Sequence, residues 1–255
     1  MIRLLLTTAL LLAMQLIAEG QIINIEERRI ESTNDSTQWY GSLNLGASLS
    51  KVKDQVAQVN SGAHVQLLSG ENLLLLLLDF RFLRAGSQNF SNSGYAHLRY
   101  NRELSERWAW ETFGQLQYNR LLLIRQRSLA GAGFRWQAFR SVSGENRLNI
   151  GLSYLYEFNE FTEGNAATRW HRLNSYISFA FRLGDNGAKF LGTTYFQPRW
   201  DKWSNHRLSS EWRLSFPVLE KLSFSTFFVY SADTALPTDA PTSTYSWNNG
   251  IVWKL

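Results

Sequence analysis

The sequence predicts an all-β fold: an antiparallel, up-and-down transmembrane β-barrel of about twelve strands. Three observations support this prediction. Apolar and polar residues alternate with a period of two, the alternating segments are about 10–14 residues long, and turn-forming residues separate them. Strands of soluble proteins are usually about five or six residues long, whereas tilted strands that cross a bilayer need about nine to eleven. The segment lengths therefore favour a membrane barrel over a soluble β-sandwich.

The alternation is clear in the first segment, where Leu43, Leu45, Ala47 and Leu49 share one face and small polar residues share the other. In a membrane barrel, the apolar face contacts lipid and the polar face lines the lumen. The predicted strands are 37–50, 55–68, 73–84, 95–104, 107–119, 127–140, 147–159, 170–183, 188–200, 203–216, 222–232 and 244–255.

The connections between the predicted strands also alternate in length. Short turns such as 69–72 and 143–146 alternate with longer connections at 85–94, 160–169 and 233–243. Short periplasmic turns and longer outer loops are typical of bacterial outer-membrane barrels. An even number of strands returns the chain to the side on which it started, so both termini are expected in the periplasm.

The N-terminal segment 1–20 predicts a signal peptide for export. Arg3 supplies the positive charge, the following stretch is mostly apolar, and Ala18 and Gly20 are the small residues expected before a cleavage site. A retained membrane anchor is the alternative, but the apolar stretch is short for a spanning helix, which needs about 20 residues. N-terminal sequencing of the mature protein should therefore begin at Gln21.

The remaining chain divides into two parts. We interpret 21–36 as a periplasmic lead segment or a partial plug of the barrel, and 37–255 as the barrel itself. Export together with this barrel pattern predicts the outer membrane of a Gram-negative bacterium. Outer-membrane lipid is then the expected surrounding, and insertion implies the barrel-assembly machinery as a partner; the pattern indicates no particular oligomeric state.

The composition excludes several kinds of site. The chain has no cysteine, which excludes disulfides and thiolate metal sites. Its net charge is +5, but the arginines are spread singly along the chain, so no nucleic-acid partner is expected. We find no phosphate-binding loop, dinucleotide fingerprint, zinc spacing or calcium loop, so we expect no cofactor and no metal.

Aromatic residues cluster near the ends of the predicted strands. Indole and phenol rings favour the headgroup level of a bilayer, so such residues predict two aromatic girdles; core aromatics of a soluble β-protein are the alternative. The girdle residues at the predicted periplasmic end are Trp39, Trp108, Trp110 and Trp253, and those at the predicted outer end are Trp200, Trp203, Tyr245 and Trp247.

Charged side chains on the polar face predict an ionic network in the lumen. Charged groups inside a low-dielectric wall need partners, so we expect them to pair across neighbouring strands. Glu111 is expected to pair with Arg99 and Arg135, because these three residues lie on consecutive strands. An anion-attracting constriction is the alternative, since bases outnumber acids. The predicted network comprises Arg99, Glu111, Arg135, Glu157, Arg172, Arg207 and Glu211; other charges predicted on this face include Asp79, Arg81, Glu103, Arg182, Lys189, Arg199 and Arg213.

Two similar segments, at 171–175 and 206–210, each combine His and Ser near the start of a strand. Outer-membrane phospholipases use Ser, His and Asn on the lipid face of a barrel, because a serine needs an adjacent base to become a nucleophile. His171 and Ser175 share a face but are separated by roughly 13 Å along an extended strand. We therefore expect no catalytic residues and no enzyme activity, with an outer-membrane lipid hydrolase as the alternative.

The strand sequences show a family resemblance. They include His97-Leu98-Arg99-Tyr100-Asn101, a Trp110-Glu111-x-Phe113-x-Gln115 segment, Arg127-x-Leu129-Ala130-Gly131-x-Gly133-x-Arg135, the segment from His171 to Tyr176, and the segment from Thr193 to Pro198. This order resembles the domain of unknown function 481, the family labelled putative salt-induced outer membrane proteins, in its Bacteroidota-type versions. The resemblance covers most of the mature chain. The final residue departs from the outer-membrane pattern: Leu255 stands where an aromatic residue is usual.

The resemblance implies an outer-membrane barrel and no particular activity. Three function classes follow from the sequence. The first is a narrow or filled barrel with a structural or envelope-stress role, which the inward arginines favour. The alternatives are a small-solute pore and a lipid-modifying outer-membrane enzyme.

Overall fold

The computed structural model describes residues 37–51, 53, 55–162, 167–184, 187–219 and 222–253. The predicted signal peptide and lead segment lie outside the described residues. The strands are β1 (Gln38–Lys51), β2 (Gln55–Ser69), β3 (Asn72–Ala85), β4 (Gln88–Glu103), β5 (Trp108–Asn119), β6 (Ile124–Arg140), β7 (Arg147–Phe161), β8 (Thr168–Leu183), β9 (Ala188–Pro198), β10 (His206–Leu219), β11 (Leu222–Asp233) and β12 (Ser243–Trp253).

These strands form one antiparallel sheet in which each strand pairs with its neighbours in the chain, in the order β1 to β12. The predicted all-β, antiparallel, up-and-down fold of twelve strands is confirmed. Within the described ranges, β1 and β12 are not hydrogen-bonded to each other, so the sheet is not closed into a complete barrel. No helix among these residues is long and apolar enough to cross a bilayer.

The sheet has two different faces because side chains alternate along every strand. The inner face carries buried residues such as Arg127 and Glu157, both 0% exposed, whereas the outer face exposes apolar residues such as Leu45 and Leu152. The sheet curls around its inner face: Arg127 Nη2 on β6 donates to Asp233 Oδ2 on β11, five strands away, at 3.0 Å. The inner face is therefore the interior of a strongly curved sheet.

The two ends of the sheet are named by their connections. At the turn end, the segments 70–71, 104–107, 141–146, 184–187 and 220–221 join strands. At the loop end, the joining segments are 52–54, 86–87, 120–123, 162–167, 199–205 and 234–242. Every described strand runs between these two ends along the same interior. The longest connections lie at the loop end.

One predicted loop is wrong. The segment 85–94 contains Ser, Asn and Gly, which are common in loops, but β4 begins at Gln88 and only Gly86 and Ser87 separate it from β3. Gly86 has a φ of 57°, the left-handed conformation that a tight hairpin turn requires. Ser91 and Ser93 then pair with Leu83 and Arg81 of β3. Continued pairing with an apolar partner strand outweighs the local preference of these small polar residues.

Other strand boundaries also shift. β6 begins at Ile124 rather than at 127, and β9 ends at Pro198, so 199–205 is a connection of seven residues between β9 and β10. Proline lacks the N–H that would continue a hydrogen-bonded ladder, which is consistent with a strand ending at Pro198. The sequence had predicted strands as far as 200 and again from 203.

The inner face is not polar throughout. Leu68, Leu73, Leu75 and Leu77 form an apolar cluster between β2 and β3, and Leu75 and Leu77 are fully buried. The expected polar lumen face is therefore interrupted near the turn end of these strands, which still carry Gln66, Asp79 and Arg81 on the same face. The sheet buries leucine on its β2–β3 side and charged residues on its β6–β11 side.

Candidate functional site: a buried ionic cluster inside the sheet

Five charged residues meet on the inner face near the loop end. Arg127, Glu157, Arg172, Arg207 and Asp233, here named the loop-end cluster, lie on β6, β7, β8, β10 and β11 and are each 0% exposed. Their strands place them there because each occupies an inward position of the two-residue alternation. Full burial of five charges is costly unless they bind one another.

Glu157 lies at the centre of the loop-end cluster. Arg172 Nε donates to Glu157 Oε2 at 2.8 Å, and Arg207 Nη2 donates to the same oxygen. The other carboxylate oxygen accepts a hydrogen bond from Asn159 Nδ2 at 2.6 Å and lies 3.9 Å from Arg127 Nε. One carboxylate therefore joins guanidinium groups from three strands.

Arg127 and Arg172 make further contacts that fix their positions. Arg127 Nε donates to Asn159 Oδ1 at 2.5 Å, in addition to its bond with Asp233. Arg172 donates to the backbone oxygens of Gln197 and Asn205 at 2.9 and 3.2 Å, and to Asn205 Oδ1 at 2.9 Å. Its guanidinium also lies 4.9 Å from the centre of the Trp170 ring. These contacts hold β6–β11 together through their side chains.

An apolar group, here named the apolar cap, lies near the loop end. Leu122, Ile124 and Phe161 form a buried group against which Leu236, from the β11–β12 connection, is packed. Phe161 lies on the same face of β7 as Glu157, four residues nearer the loop end. The apolar cap therefore lies nearer the loop end than the buried charges.

A second group of charges lies nearer the turn end. Glu111 Oε2 is 3.1 Å from Arg99 Nη1 and accepts a hydrogen bond from Tyr176 Oη at 2.8 Å, while Oε1 is 3.5 Å from Arg135 Nε. Arg135 also binds Glu103 at 3.3 Å. Tyr176 belongs to β8, so this contact again crosses the interior from a strand that is not adjacent to β5.

The structure divides the predicted network into these two groups. Arg99, Glu111 and Arg135 meet in the turn-end group, and Glu157, Arg172 and Arg207 meet in the loop-end cluster. Glu211 lies half-buried on β10, on the same face as Arg207. The other charges predicted inside include Asp79 with Arg81, whose side chains approach to 3.0 Å, and Arg182, which binds Glu145 at 2.8 Å beside the turn end.

Three residues of the loop-end cluster and its surroundings were not singled out from the sequence. Arg127 was predicted to begin a strand and Asp233 to begin a loop. Strand boundaries are the least reliable part of such a prediction, so the face of a residue at a boundary is difficult to assign. Trp170 was also placed at a strand start. Alternation along the strand could have placed two of them on the inner face. Arg127 is an even number of residues from Arg135, and Asp233 is an even number from Ser231.

The predicted girdle residues occupy different places. Trp39, Trp108 and Trp253 are exposed on the outer face, and Trp108 stacks on Trp136 at a ring distance of 6.2 Å. Trp110 is half-buried against Phe134. The remaining residues are Trp200 and Trp203 in the β9–β10 connection, Tyr245 near the start of β12, and Trp247 closer to the middle of that strand.

The His and Ser residues considered for catalysis do not bind each other. His171 Nδ1 pairs with Tyr154 Oη, while Ser175 Oγ donates to the backbone oxygen of Phe196 at 3.0 Å. His206 Nδ1 lies 3.1 Å from the backbone oxygen of Trp203. Among the described residues, no three His, Asp or Glu side chains form a metal-binding group.

The β9–β10 connection carries one further ion pair, outside the strands. Arg199 Nε donates to Asp201 Oδ1 at 2.9 Å, and this hydrogen bonding holds the pKa of Asp201 below its ordinary value. The Arg199 guanidinium also lies 5.3 Å from the centre of the Trp170 ring. Trp170 thus lies against both Arg199 and the buried Arg172.

Comparison with known proteins gives one structural likeness and one family. The solved structure of the NanC porin superposes with a TM-score of 0.45 at 12% identity, covering 84% of this chain and 100% of that chain. No curated protein sequence matches the chain. A family model described as protein of unknown function, DUF481, matches residues 43–249. The chain therefore belongs to the DUF481 family.

Proposed function

We propose that this protein is an integral outer-membrane β-barrel with a filled interior, serving a structural or envelope-stress role rather than acting as an open pore. The observation that carries the proposal is the loop-end cluster, whose five charged side chains are fully buried and join strands on opposite sides of the interior. Walls of a water-filled channel would leave such side chains in contact with solvent. The apolar cap is also buried and lies near the same end.

The outer face supports the membrane setting. Four mainly apolar side chains on this face are each between 68% and 75% exposed: Leu43, Leu45, Trp247 and Ile251. Apolar surface of this extent on a soluble monomer marks an interaction site, and a lipid bilayer accommodates it along the whole sheet. The proposed partners are outer-membrane lipid and, during insertion, the barrel-assembly machinery; the turn end is proposed to face the periplasm.

Conductance in planar lipid bilayers tests the filled interior. The wild-type protein should show no stable open channel. Replacing both Arg127 and Asp233 by alanine removes one positive and one negative charge, so the remaining charge balance of the cluster is unchanged while its volume falls. We expect ion conductance to appear in this double variant. The matched control replaces Arg182 and Glu145, an exposed pair at the turn end, and should stay closed.

A large, steady conductance of the wild-type protein would reject the filled interior and favour the small-solute pore. Conductance that appears equally in both double variants would show that it comes from general destabilisation. Lipid hydrolysis by the purified wild-type protein, measured on phospholipid vesicles, would instead favour the enzyme alternative.

A further inference from the structure

Arg207 is the least satisfied member of the loop-end cluster. Its side chain is 0% exposed, and one nitrogen, Nη2, donates to Glu157. Its Nε and Nη1 atoms are buried and have no hydrogen-bond partner in the described ranges of the chain. These two nitrogens carry three N–H groups between them. Buried donors attached to a charged group are costly when no acceptor faces them, so a native protein is expected to supply one.

The charges of the cluster do not balance. Three guanidinium groups face two carboxylates, Glu157 and Asp233, which leaves one positive charge in excess. Asp233 is bound by Arg127 and also accepts the Ala235 backbone N–H. Glu211, the next acid on the inner face of β10, is four residues from Arg207, or on the order of 13 Å along an extended strand. Asp233 is also paired with Arg207 in the register of β10 and β11, but its carboxylate binds Arg127. Within the described part of the chain, Arg207 is the cluster member with unpartnered nitrogens, so we assign the excess charge to it.

The residue paired with Arg207 on β9 offers too few acceptors for its free donors. This residue is Gln197, whose Oε1 atom is buried and has no partner among the residues that the structure describes. Its amide nitrogen donates to Asn174 Oδ1 at 2.7 Å, which orients the side chain. A water molecule between Gln197 and Arg207 could satisfy one N–H but would leave the positive charge uncompensated.

We propose that the unpartnered Nη1 of Arg207 binds a small monovalent anion, with chloride as the chemical class. One bound halide would accept an N–H of Nη1 and cancel the excess charge of the cluster. Arg207 is 0% exposed, so a single-atom anion fits the site better than a phosphate or a carboxylate-bearing solute. This proposal is independent of the proposed function, because the site can be occupied whether or not the remaining interior conducts ions.

Heat resistance of the folded protein on a gel tests the site in solution. The protein is heated in detergent with sodium chloride, or with sodium gluconate at the same ionic strength, because gluconate is too large to enter. The temperature at which half the folded band is lost should rise with the chloride concentration. Once that concentration exceeds the Kd of the site, the rise should be on the order of 3–6 °C per tenfold increase in chloride. It should stay constant in gluconate.

Two variants separate the site from general salt effects. Arg207→Met leaves two arginines and two carboxylates, so the cluster is balanced without an anion and the chloride dependence should be lost. Arg182→Met removes an exposed arginine at the turn end and should keep the full chloride dependence. Equal chloride dependence of the wild type and Arg207→Met, or no dependence in the wild type, would overturn the proposal.

Diffraction decides the matter if Arg207→Met fails to fold. Crystals of the wild-type protein soaked in sodium bromide should give an anomalous scattering peak within hydrogen-bonding distance of Arg207 Nε or Nη1. Electron density there without an anomalous peak would identify a water molecule and reject the anion.

Discussion

Each buried ionic group is organised by one glutamate that binds arginines from more than one strand. Glu157 does so in the loop-end cluster, and Glu111 does so nearer the turn end. A carboxylate shared in this way is desolvated, and so are the guanidinium groups around it. Removing the carboxylate therefore costs more than the loss of one bond, because charged donors are left inside the protein without their acceptor.

Glu111→Gln should destabilise the folded protein strongly. Glu111 is 4% exposed, and its carboxylate contacts Arg99 and Arg135. The substitution keeps the size of the side chain but removes the charge that both arginines face. We expect a loss of about 3–5 kcal/mol in the free energy of unfolding. The measurement is urea-induced unfolding in lipid vesicles, followed by tryptophan fluorescence.

Glu103→Gln is the matched control for this prediction. Glu103 also binds Arg135, but its side chain is 59% exposed, so solvent can replace the lost interaction. Its substitution should cost less than about 1 kcal/mol. Similar losses for the two variants would mean that Glu111 is solvated, and the turn-end group would then line an open space.

At the scale of single residues, alternation assigns a charged side chain to one face where a strand continues on both sides of the residue. Glu111 and Glu157 lie inside long alternating segments, so their face could be assigned by parity. Arg127 and Asp233 lie near strand ends, where the start of the alternation is ambiguous. Which charges bind each other across the interior could not be predicted, because that pairing depends on how the sheet curls.

Neighbouring strands pack closely where glycine on one strand receives an aromatic ring from the next. Gly151 of β7 pairs with Tyr176 of β8, and a Cβ atom at Gly151 would overlap the Tyr176 ring. The same ring carries the hydroxyl that donates to Glu111 at 2.8 Å. A glycine in β7 therefore sets the position of a hydrogen bond between β8 and β5.

Gly151→Ala should displace Tyr176 and weaken its bond to Glu111. Overpacking of this kind costs about 1–3 kcal/mol in the free energy of unfolding. Gly114→Ala is the control, because its added Cβ would meet only the Leu129 backbone oxygen at 3.9 Å. The same unfolding assay measures both. If Gly114→Ala lowers the free energy of unfolding as much as Gly151→Ala does, contact with an aromatic ring does not explain the effect of the Gly151 substitution.

The outer and inner faces of a strand should tolerate charge differently. Leu152 is 55% exposed on the outer face of β7, so Leu152→Arg would place a charge in lipid at a cost of about 2–4 kcal/mol. Ser225 lies on the inner face of β11, opposite the small residues Ser215 and Gly250. Ser225→Arg should therefore cost much less, and equal losses would contradict the assignment of the two faces.

At the scale of elements, alternation predicted every strand and the connection of each to the next. The boundaries were less predictable, as β4 shows. Ser, Asn and Gly residues from 89 to 94 favour a loop locally, but β3 continues to Ala85 and offers a partner to each of them. Pairing with a neighbouring strand is a property of two segments, so a single segment does not reveal it.

The whole molecule is a single curved sheet whose two sides are stabilised differently. Leucines fill the inner face between β2 and β3, and ionic groups join β6 to β11. Alternation along the chain predicts that the sheet is curved and has two different faces. It does not specify whether the first and last strands pair with each other. That pairing joins the residues farthest apart in the sequence, so no local pattern specifies it.

Closure between β1 and β12 is the last prediction, and it applies to the protein in a bilayer. Unpaired N–H and C=O groups of an edge strand can bind water, but lipid offers no such partners, so the two edges should pair.

The chain has no cysteine, which allows disulfide crosslinking without background. One cysteine replaces Leu45 on the outer face of β1. The second replaces, one at a time, the residues on the same face of β12: Tyr245, Trp247, Asn249, Ile251 and Trp253.

Crosslinking between β1 and β12 in vesicles should be efficient for one of these pairs and weaker for its neighbours, because facing residues of paired strands lie within reach of a disulfide. Leu45→Cys with Ser61→Cys is the positive control, since those positions face each other in β1 and β2. Leu45→Cys with Leu152→Cys, on distant strands, should not crosslink. If only the positive control crosslinks, the edges stay apart in the membrane, and the sheet must be closed by another chain or by the segment before β1.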